Sequence, residues 1–393
     1  MATDKPYYPH LPIGDIDTLA KTLGLPPKLL IDLAADTSES YTEFTITSKS
    51  GKVRTVYDPK FELKRLQKRI NSRLFEKVVY PPYLQGGIRD SVYPRDYVIN
   101  AEIHAGSKSL IGIDIKDFYN NIKASDVFPV FQYLFKFPQD VAELLTKIVT
   151  RCGRVPQGGC TSSYVANLVF FNSEYTLVSK MRSQGFAYTR LLDDVTISSS
   201  HNISREQSTQ AITAVAALFR KYSLRINGDK TKQENSSDLK SEYKVTGVWV
   251  GHGMPKLRKA ERRYIRQLVY VCEKDYIRDR FSEEYHKLWN RVSGQVAKLT
   301  RLKHSQASDL RCRMRNILPE YNDQAKAGIV FEADKLLKKP TSHHVRPGVI
   351  ASYNKTIYAL GILSRTDRAT AKKYRKMLRG RFRNAPTKSE VWG

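Results

Sequence analysis

Cysteine is scarce, with four residues in 393, Cys152, Cys160, Cys272 and Cys312. They are too few and too scattered for a disulfide framework, and none forms the Cys-x-x-Cys pair of a zinc site, so reduced core thiols are expected. Long apolar runs are missing too. No stretch approaches the roughly 20 residues of a spanning helix, and the N-terminus lacks the charged-then-apolar order of a signal peptide. The expectation is a soluble, cytosolic protein with no membrane partner. Acidic residues are in short supply: 39 Asp+Glu stand against 66 Lys+Arg, for a net charge of +27 and the balance of a polyanion binder. No internal repeat or low-complexity linker breaks the text. What is present, 41% hydrophobic and 10% aromatic residues, suffices for two or three packed domains of about 100–200 residues each and excludes disorder throughout.

Periodicity gives an alternating order of helices and strands. Residues 1 to about 45 read as a helix pair, with Ile16, Leu19 and Leu23 at helical spacing and a second run after Pro26. Phe44 to Tyr57 alternates around Ser50-Gly51 as a hairpin, and a basic helix with Leu63, Leu66, Ile70 and Leu74 inward follows. The text between about 79 and 105 is irregular, and Leu110 to Ile115 is a buried strand that contains Asp114. Helical text runs from Ala124 to about Arg151 and from about Thr161 to Gln184, on either side of the loop Val155-Pro156-Gln157-Gly158-Gly159-Cys160. Phe186 to Ser198 reads as strand, turn at Asp193-Asp194, and strand; a helix at about 204–222 and a short strand ending at Asn227 complete an α+β domain. Past Gly253 the chain turns helical and basic, with Tyr285, Leu288, Trp289, Val292, Val296 and Leu299 on one face and Lys287, Arg291 and Lys298 on another.

Three acids stand out because apolar strand text surrounds them: Asp114, Asp193 and Asp194. A carboxylate drawn into such surroundings needs a counter-charge, and a hard divalent cation with oxygen ligands is the natural one. Two Mg²⁺ ions held by such carboxylates lower the barrier to in-line nucleotidyl transfer, the chemistry of a polymerase palm. An Asp-Asp pair in a hairpin is by itself usually only a turn. Here it stands in an ordered series: Asp114, then Pro156-Gln157-Gly158, then the double Asp, then Asn227-x-x-Lys230-Thr231.

That series resembles the motifs of reverse transcriptases, and the chain resembles bacterial retron-type reverse transcriptases in particular. Gly51-Lys52-Val53-Arg54 is similar to the basic fingers element, Ile113 to Tyr119 to motif A, Val155 to Asn167 to motif B, and Leu191-Leu192-Asp193-Asp194 to motif C. Asn227 to Thr231 and Val245 to Val248 resemble motifs D and E. The form Asn-Ala-x-x-His at Asn100 to His104 and the triplet Val245-Thr246-Gly247 are those associated with retron enzymes and recognition of their own structured RNA. Motif C departs from the usual Tyr-x-Asp-Asp, since Leu191 replaces the tyrosine.

The resemblance implies a right-hand polymerase with an antiparallel palm sheet and a helical thumb. Its parts are a helical segment at 1–43, fingers at 44–105, a palm at 106–252 with a helical insertion at about 124–155, a thumb at 253–340 and a basic extension at 341–393. Asp114, Asp193, Asp194 and the Ile115 position would hold two Mg²⁺ ions. Lys230 would protonate the leaving pyrophosphate, and Lys52 and Arg54 would neutralise triphosphate charge. Asp117, Phe118, Tyr119 and Gln157 would face the nucleotide, Tyr119 as the gate against a 2′-hydroxyl. Asn100, His104, Val245, Thr246, Gly247, Lys287 and Arg291 would face RNA, with His104 read equally well as a hydrogen-bonded packing residue. Lys64, Arg65, Lys68 and Lys298 would add sequence-independent grip. The basic tail from Arg365 to Arg383 either clamps structured RNA or forms a terminal helix docked on the thumb. The implied partners are a structured noncoding RNA template, deoxynucleotides, the DNA product and a protein effector or second subunit encoded nearby; self-association stays open. The implied role is antiphage defence in the bacterial cytoplasm. The rivals are a related enzyme that makes repetitive or untemplated DNA, and a non-catalytic RNA-binding scaffold, against which the three intact acids argue.

Overall fold

A computed structural model describes residues 4–48, 51, 53–238 and 240–387. The chain divides into two compact units, residues 1–255 and 256–393.

The first unit opens with the expected helix pair, α1 (Ile16–Leu23) and α2 (Pro27–Ala35). The Asp15 carboxylate caps α1 by accepting from the Thr18 amide, and Gly24 closes it at φ +64°, where a left-handed residue is needed. The hairpin of β1 (Tyr41–Thr47) and β2 (Val53–Pro59) runs in register from Tyr41 opposite Pro59 to Thr47 opposite Val53. Helix α3 (Phe61–Arg73) buries Leu63, Leu66 and Ile70, while Lys64, Arg65, Lys68 and Arg69 are half-buried and Arg69 donates to the Leu23 and Gly24 carbonyls at the end of α1. The stretch read as irregular contains α4 (Tyr97–Ile103), whose first amides are capped by the Asp96 carboxylate; at seven residues it is too short to show a period.

Next come β3 (Ser109–Ile115), the short α5 (Phe118–Asn121), α6 (Ala124–Pro129) and α7 (Gln139–Val149). The helical text from 124 to 151 is therefore broken: Pro129 and Pro138 lack amide donors, and a single π turn at Val130–Leu134 bridges between them. The stretch read as one helix from 161 to 184 is two, α8 (Ser162–Leu168) and α9 (Glu174–Ser183). After β4 (Phe186–Leu191), β5 (Asp194–Ser199) and α10 (Arg205–Arg220), the strand read as ending at Asn227 instead begins there, as β6 (Ile226–Asn235). The two-residue strands β7 (Lys244–Val245) and β8 (Val248–Trp249) close the unit around a tight turn.

The central sheet has the order β4-β5-β3-β6, every neighbour antiparallel. Along β3, Ile111, Ile113 and Ile115 enter the core while Gly112 and Asp114 stand on the other, half-buried face. Each such isoleucine stabilises the fold by about 1.5–3 kcal/mol. The alternation pins the register, because a slip of one residue would turn Asp114 into the core and an isoleucine out.

The second unit is helical. One cluster joins α11 (Lys259–Asp279), α12 (Glu283–Arg301) and α13 (Ala307–Asn316) through Ile265, Val269, Val292, Val296 and Leu310. The other joins α14 (Asp323–Leu337), α15 (Pro347–Leu363) and α16 (Arg368–Arg381) through Ala333, Leu336, Leu360, Leu363 and Leu378. A boundary at residue 340 thus falls inside a packed three-helix layer. The basic tail is a docked terminal helix through Arg381, since Ala371 and Leu378 lie every seventh residue on its inner face. Of the four cysteines only Cys272 is buried; Cys160 is half-buried, and Cys152 and Cys312 are exposed, so the expectation of four core thiols fails.

Candidate active site

The hairpin between β4 and β5 turns at Leu192-Asp193, one residue earlier than the sequence suggests. Leu191 pairs with Asp194, so Asp194 opens β5 and Leu192 takes the left-handed conformation at φ +60°. Across the sheet Asp194 lies directly opposite Asp114. The Ile115 amide donates to the Asp193 carbonyl at 3.0 Å, which ties the end of β3 to the turn.

On the other side of β3 the register slips. Gly112 pairs with Lys232 and Asp114 with Asn227, so β3 advances two residues while β6 advances five. The extra residues bulge outward, with the Thr231 hydroxyl donating to the Asn227 carbonyl at 2.9 Å. The bulge carries Lys230 back over the sheet, where its Nζ donates to Asp114 Oδ1 at 2.7 Å; Asn227 Nδ2 donates to Oδ2 at 3.2 Å. The Lys230 and Asn227 spacing belongs to this bulge, not to a loop after a strand.

Three acids this close repel one another. Partial desolvation and the Asp114 carboxylate push the Asp193 carboxyl up, against its own amide hydrogen bond and the positive charges of Arg54 and Lys230. Asp194 is pushed up to about 6 by partial desolvation and by the charges of Asp193 and Asp114, with Lys230 opposing. The donors are hard carboxylate oxygens that share an excess of negative charge, which fits a divalent cation. They do not yet close into a cage: among the described residues, no three His, Cys, Asp or Glu side chains converge tightly enough to grip an ion.

Arg54 is exposed on β2, and its positive charge favours the ionised form of Asp193. Lys52 lies outside the described residues. Tyr119 is half-buried with its hydroxyl 3.4 Å from Ser163 Oγ, and burial and the nearby Asp193 raise its phenol. Asp117 is exposed at φ +46° ahead of α5. Phe118, expected to face the nucleotide, is instead a core residue: it is 3% exposed and packs on Phe170. Gln157 is half-buried, and its carbonyl accepts from the Tyr57 amide at 2.8 Å, joining the loop to the β1-β2 hairpin.

Burial corrects the expectation of RNA contact at Asn100, and of the two readings of His104 the structure shows the packing one. Both are at most 1% exposed, and the His104 ring spans Ser198 Oγ at 2.7 Å and Thr189 Oγ1 at 2.8 Å, while the Thr189 hydroxyl donates to Asn100 Oδ1. They brace α4 against β4 and β5. Burial holds the imidazole far below its usual range, at about 3. An unfolded histidine titrates near pH 6.5, so stability is full above that value and is lost as the pH falls toward 3, where the unfolded state binds the extra proton. His104→Gln is therefore expected to flatten the decline in melting temperature between pH 7 and 5; an unaltered slope in a thermal scan would contradict this. Val245 is buried as well, whereas Thr246 and Gly247 form the tight turn at φ +46° and +78°. Thr246 donates to the Tyr97 carbonyl at 2.8 Å, so the two sequence features meet at α4.

In the second unit Lys287 and Arg291 are exposed on α12, Lys287 paired with Glu283 and Arg291 donating to the Tyr264 hydroxyl at 2.7 Å. Sequence reasoning missed two features beside the hairpin: the buried pair of Arg190 and Glu174, and a diglycine at Gly86-Gly87. A Cβ at Gly86 would lie 2.8 Å from Leu191 Cγ, and one at Gly87 2.5 Å from Ser163 Cβ. Nothing in the local text of either glycine announces this approach, although an arginine inside a strand was a signal.

Residues 46–250 match the family described as reverse transcriptase (RNA-dependent DNA polymerase). The chain is 43% identical to the retron Se72 reverse transcriptase of Salmonella heidelberg, over 95% of this chain and 98% of that one. It is 31% identical to the retron Ec48 reverse transcriptase of Escherichia coli, over 92% and 91% respectively. The family match spans the sheet, the acids and the bulge that carries Lys230, and the relatives extend the likeness through the second unit. The chain therefore belongs to the retron-type reverse transcriptases, enzymes with a right-hand polymerase fold that synthesise DNA on an RNA template.

Proposed function

We propose that this polymerase copies a dedicated, structured noncoding RNA into DNA by two-metal nucleotidyl transfer centred on Asp114, Asp193 and Asp194. The observation that carries the reading is the cross-strand juxtaposition of Asp114 and Asp194 beside the Asp193 turn, with Lys230 and Arg54 as the balancing cations.

Mg²⁺ held by these carboxylates, with the Ile115 carbonyl as a further oxygen, would supply activation of the primer hydroxyl and charge stabilisation at the leaving pyrophosphate. The chain's own groups do the rest. Arg54 and Lys52 offset the triphosphate charge and orient it toward the sheet. Lys230 leaves Asp114 as the triphosphate arrives and stands ready to donate a proton from Nζ to the departing pyrophosphate. Gln157 lines the sugar and base side of the incoming nucleotide. Tyr119 fills the space beside the 2′ position.

Replacing Tyr119 by Ala is expected to lower the preference for deoxynucleotides over ribonucleotides by roughly 10–100-fold, the scale on which one pocket contact discriminates. Competing incorporation of the two sugars on one template measures it, and an unchanged preference would remove the gate assignment.

The charge of +27 and the exposed cations of α12 and α16 support binding of a folded RNA. Likeness to the retron enzymes supports a role in antiphage defence, with a protein effector encoded nearby. Leu191 in place of the usual tyrosine favours one other product class, repetitive or untemplated DNA. Extension of a primer on a mixed-sequence RNA with Mg²⁺ separates them: a full-length complementary product supports templated copying, and tails independent of the template contradict it. Plaque counts on cells that carry the locus, with and without Asp193→Asn, test the defensive role.

A further inference from the structure

We propose that Arg190 is a positioning residue for the polymerase reaction: gripped by Glu174, its guanidinium fixes the Leu192 carbonyl and through that peptide aims the Asp193 carboxylate.

Arg190 sits on β4, three residues before Asp193, and is fully buried. Glu174, near the start of α9, receives a two-point fork from it, Nε to Oε1 at 2.6 Å and Nη2 to Oε2 at 2.7 Å. The remaining donors point at main-chain oxygens: Nη2 at Asn167, and Nη1 at Ala166 and Leu192, each at 3.2–3.3 Å. The Phe170 ring covers the cation at 4.8 Å, and the Tyr188 hydroxyl donates to Glu174 Oε1 at 2.8 Å. The Arg190 main chain is pinned too, its amide on the Tyr83 carbonyl and its carbonyl under the Gln85 amide.

A buried ion pair is a poor source of stability, because desolvation offsets most of the attraction. This one also reaches the turn. Leu192 is a bulky residue at φ +60°, a conformation that costs of order 1 kcal/mol and persists only where the surroundings hold it. Two groups hold it here: the single Arg190 Nη1 donor on its carbonyl, and the Gly86-Gly87 loop, where a Cβ at Gly86 would come within 3.1 Å of Leu192 Cγ. The next peptide unit carries Asp193. Side chains that orient metal-binding groups from behind typically account for 10–100-fold in affinity or activity.

The inference rests on the assignment of Asp193 to the reacting centre, so the experiment includes Asp193→Asn beside Arg190→Lys, Arg190→Met and the double variant Arg190→Met/Glu174→Gln. Full-length protein is assayed for melting temperature, for kcat and deoxynucleotide KM on an RNA template, and for Mn²⁺ binding by electron paramagnetic resonance without substrate. Arg190→Lys keeps the charge but not the fork. Its kcat and Mn²⁺ affinity are expected to fall about tenfold or more, with KM within about twofold. The double variant removes the lone buried charge, so its melting temperature recovers relative to Arg190→Met while kcat stays low. Wild-type kcat in Arg190→Lys or in the double variant would overturn the proposal, as would kcat that only follows melting temperature. If the double variant does not fold, Arg190→Lys decides. Full activity in Asp193→Asn would instead overturn the assignment of Asp193 itself.

Discussion

Asp193→Asn is expected to reduce DNA synthesis by about a thousandfold or more while the protein stays folded. Metal-assisted charge stabilisation contributes several kcal/mol to a transition state, and about 4 kcal/mol corresponds to a factor of 10³ in rate. Asn keeps the shape of the side chain and its place beside the Ile115 link, but supplies a neutral amide where a charged oxygen donor is required. Stability is expected to move the other way. In the folded protein burial and Asp114 disfavour the Asp193 carboxylate, so neutralising it relieves repulsion, and the melting temperature should hold or rise. Initial rates on an RNA template and a thermal scan of the same sample measure both. A folded Asp193→Asn protein with full activity would contradict the two-metal account, and a collapse in stability would show that the acid has a structural role.

Gly158→Ala is expected to cost roughly 30–100-fold in kcat/KM, mostly through a higher deoxynucleotide KM. Gly158 takes φ +110°, which only glycine adopts at low cost. A Cβ there would stand 2.7 Å from the Tyr57 carbonyl oxygen and 2.7 Å from Val56 Cγ1. Because Tyr57 and Val56 are in β2, neither backbone atom nor sheet register yields readily, so the loop must lift. Lifting it stretches the bond from the Tyr57 amide to the Gln157 carbonyl and separates Gln157 from the hairpin that carries Arg54. Gln157 and Arg54, the groups proposed to bind the nucleotide from two elements, would then no longer converge. Steady-state kinetics over a deoxynucleotide series measures the effect. Unchanged KM with normal melting would show that the loop and hairpin need not meet.

Legibility from sequence followed the range of the signal. The strand containing Asp114 was readable because isoleucines alternate with non-core residues, and the double Asp because it follows apolar strand text. The hairpin turn was misplaced by one residue, since Leu192 carries no turn signature and accepts a left-handed backbone only under contacts from Gly86 and Arg190, which are remote in sequence or buried. Lys230 was placed in the site by motif order, but its means of arrival, the bulge in β6, depends on cross-strand register and was invisible. Phe118 and Asn100 show the opposite error. A motif names positions, and the side chains at some of them serve packing: Phe118 supports its neighbour Tyr119 from the core, and His104 with Asn100 links α4 to the strands that form the Asp193 turn. The break at Pro129 and Pro138 was local chemistry that helical periodicity overrode.

Whether the enzyme copies its own dedicated RNA is read by expressing the gene with its native flanking DNA, purifying the protein and sequencing the RNA and DNA that accompany it. The account predicts one defined RNA species, joined to or paired with complementary DNA of unique sequence, and no such DNA from the Asp193→Asn protein. Homopolymeric or short-repeat DNA, or a mixture of unrelated cellular RNAs with no complementary DNA, would contradict it.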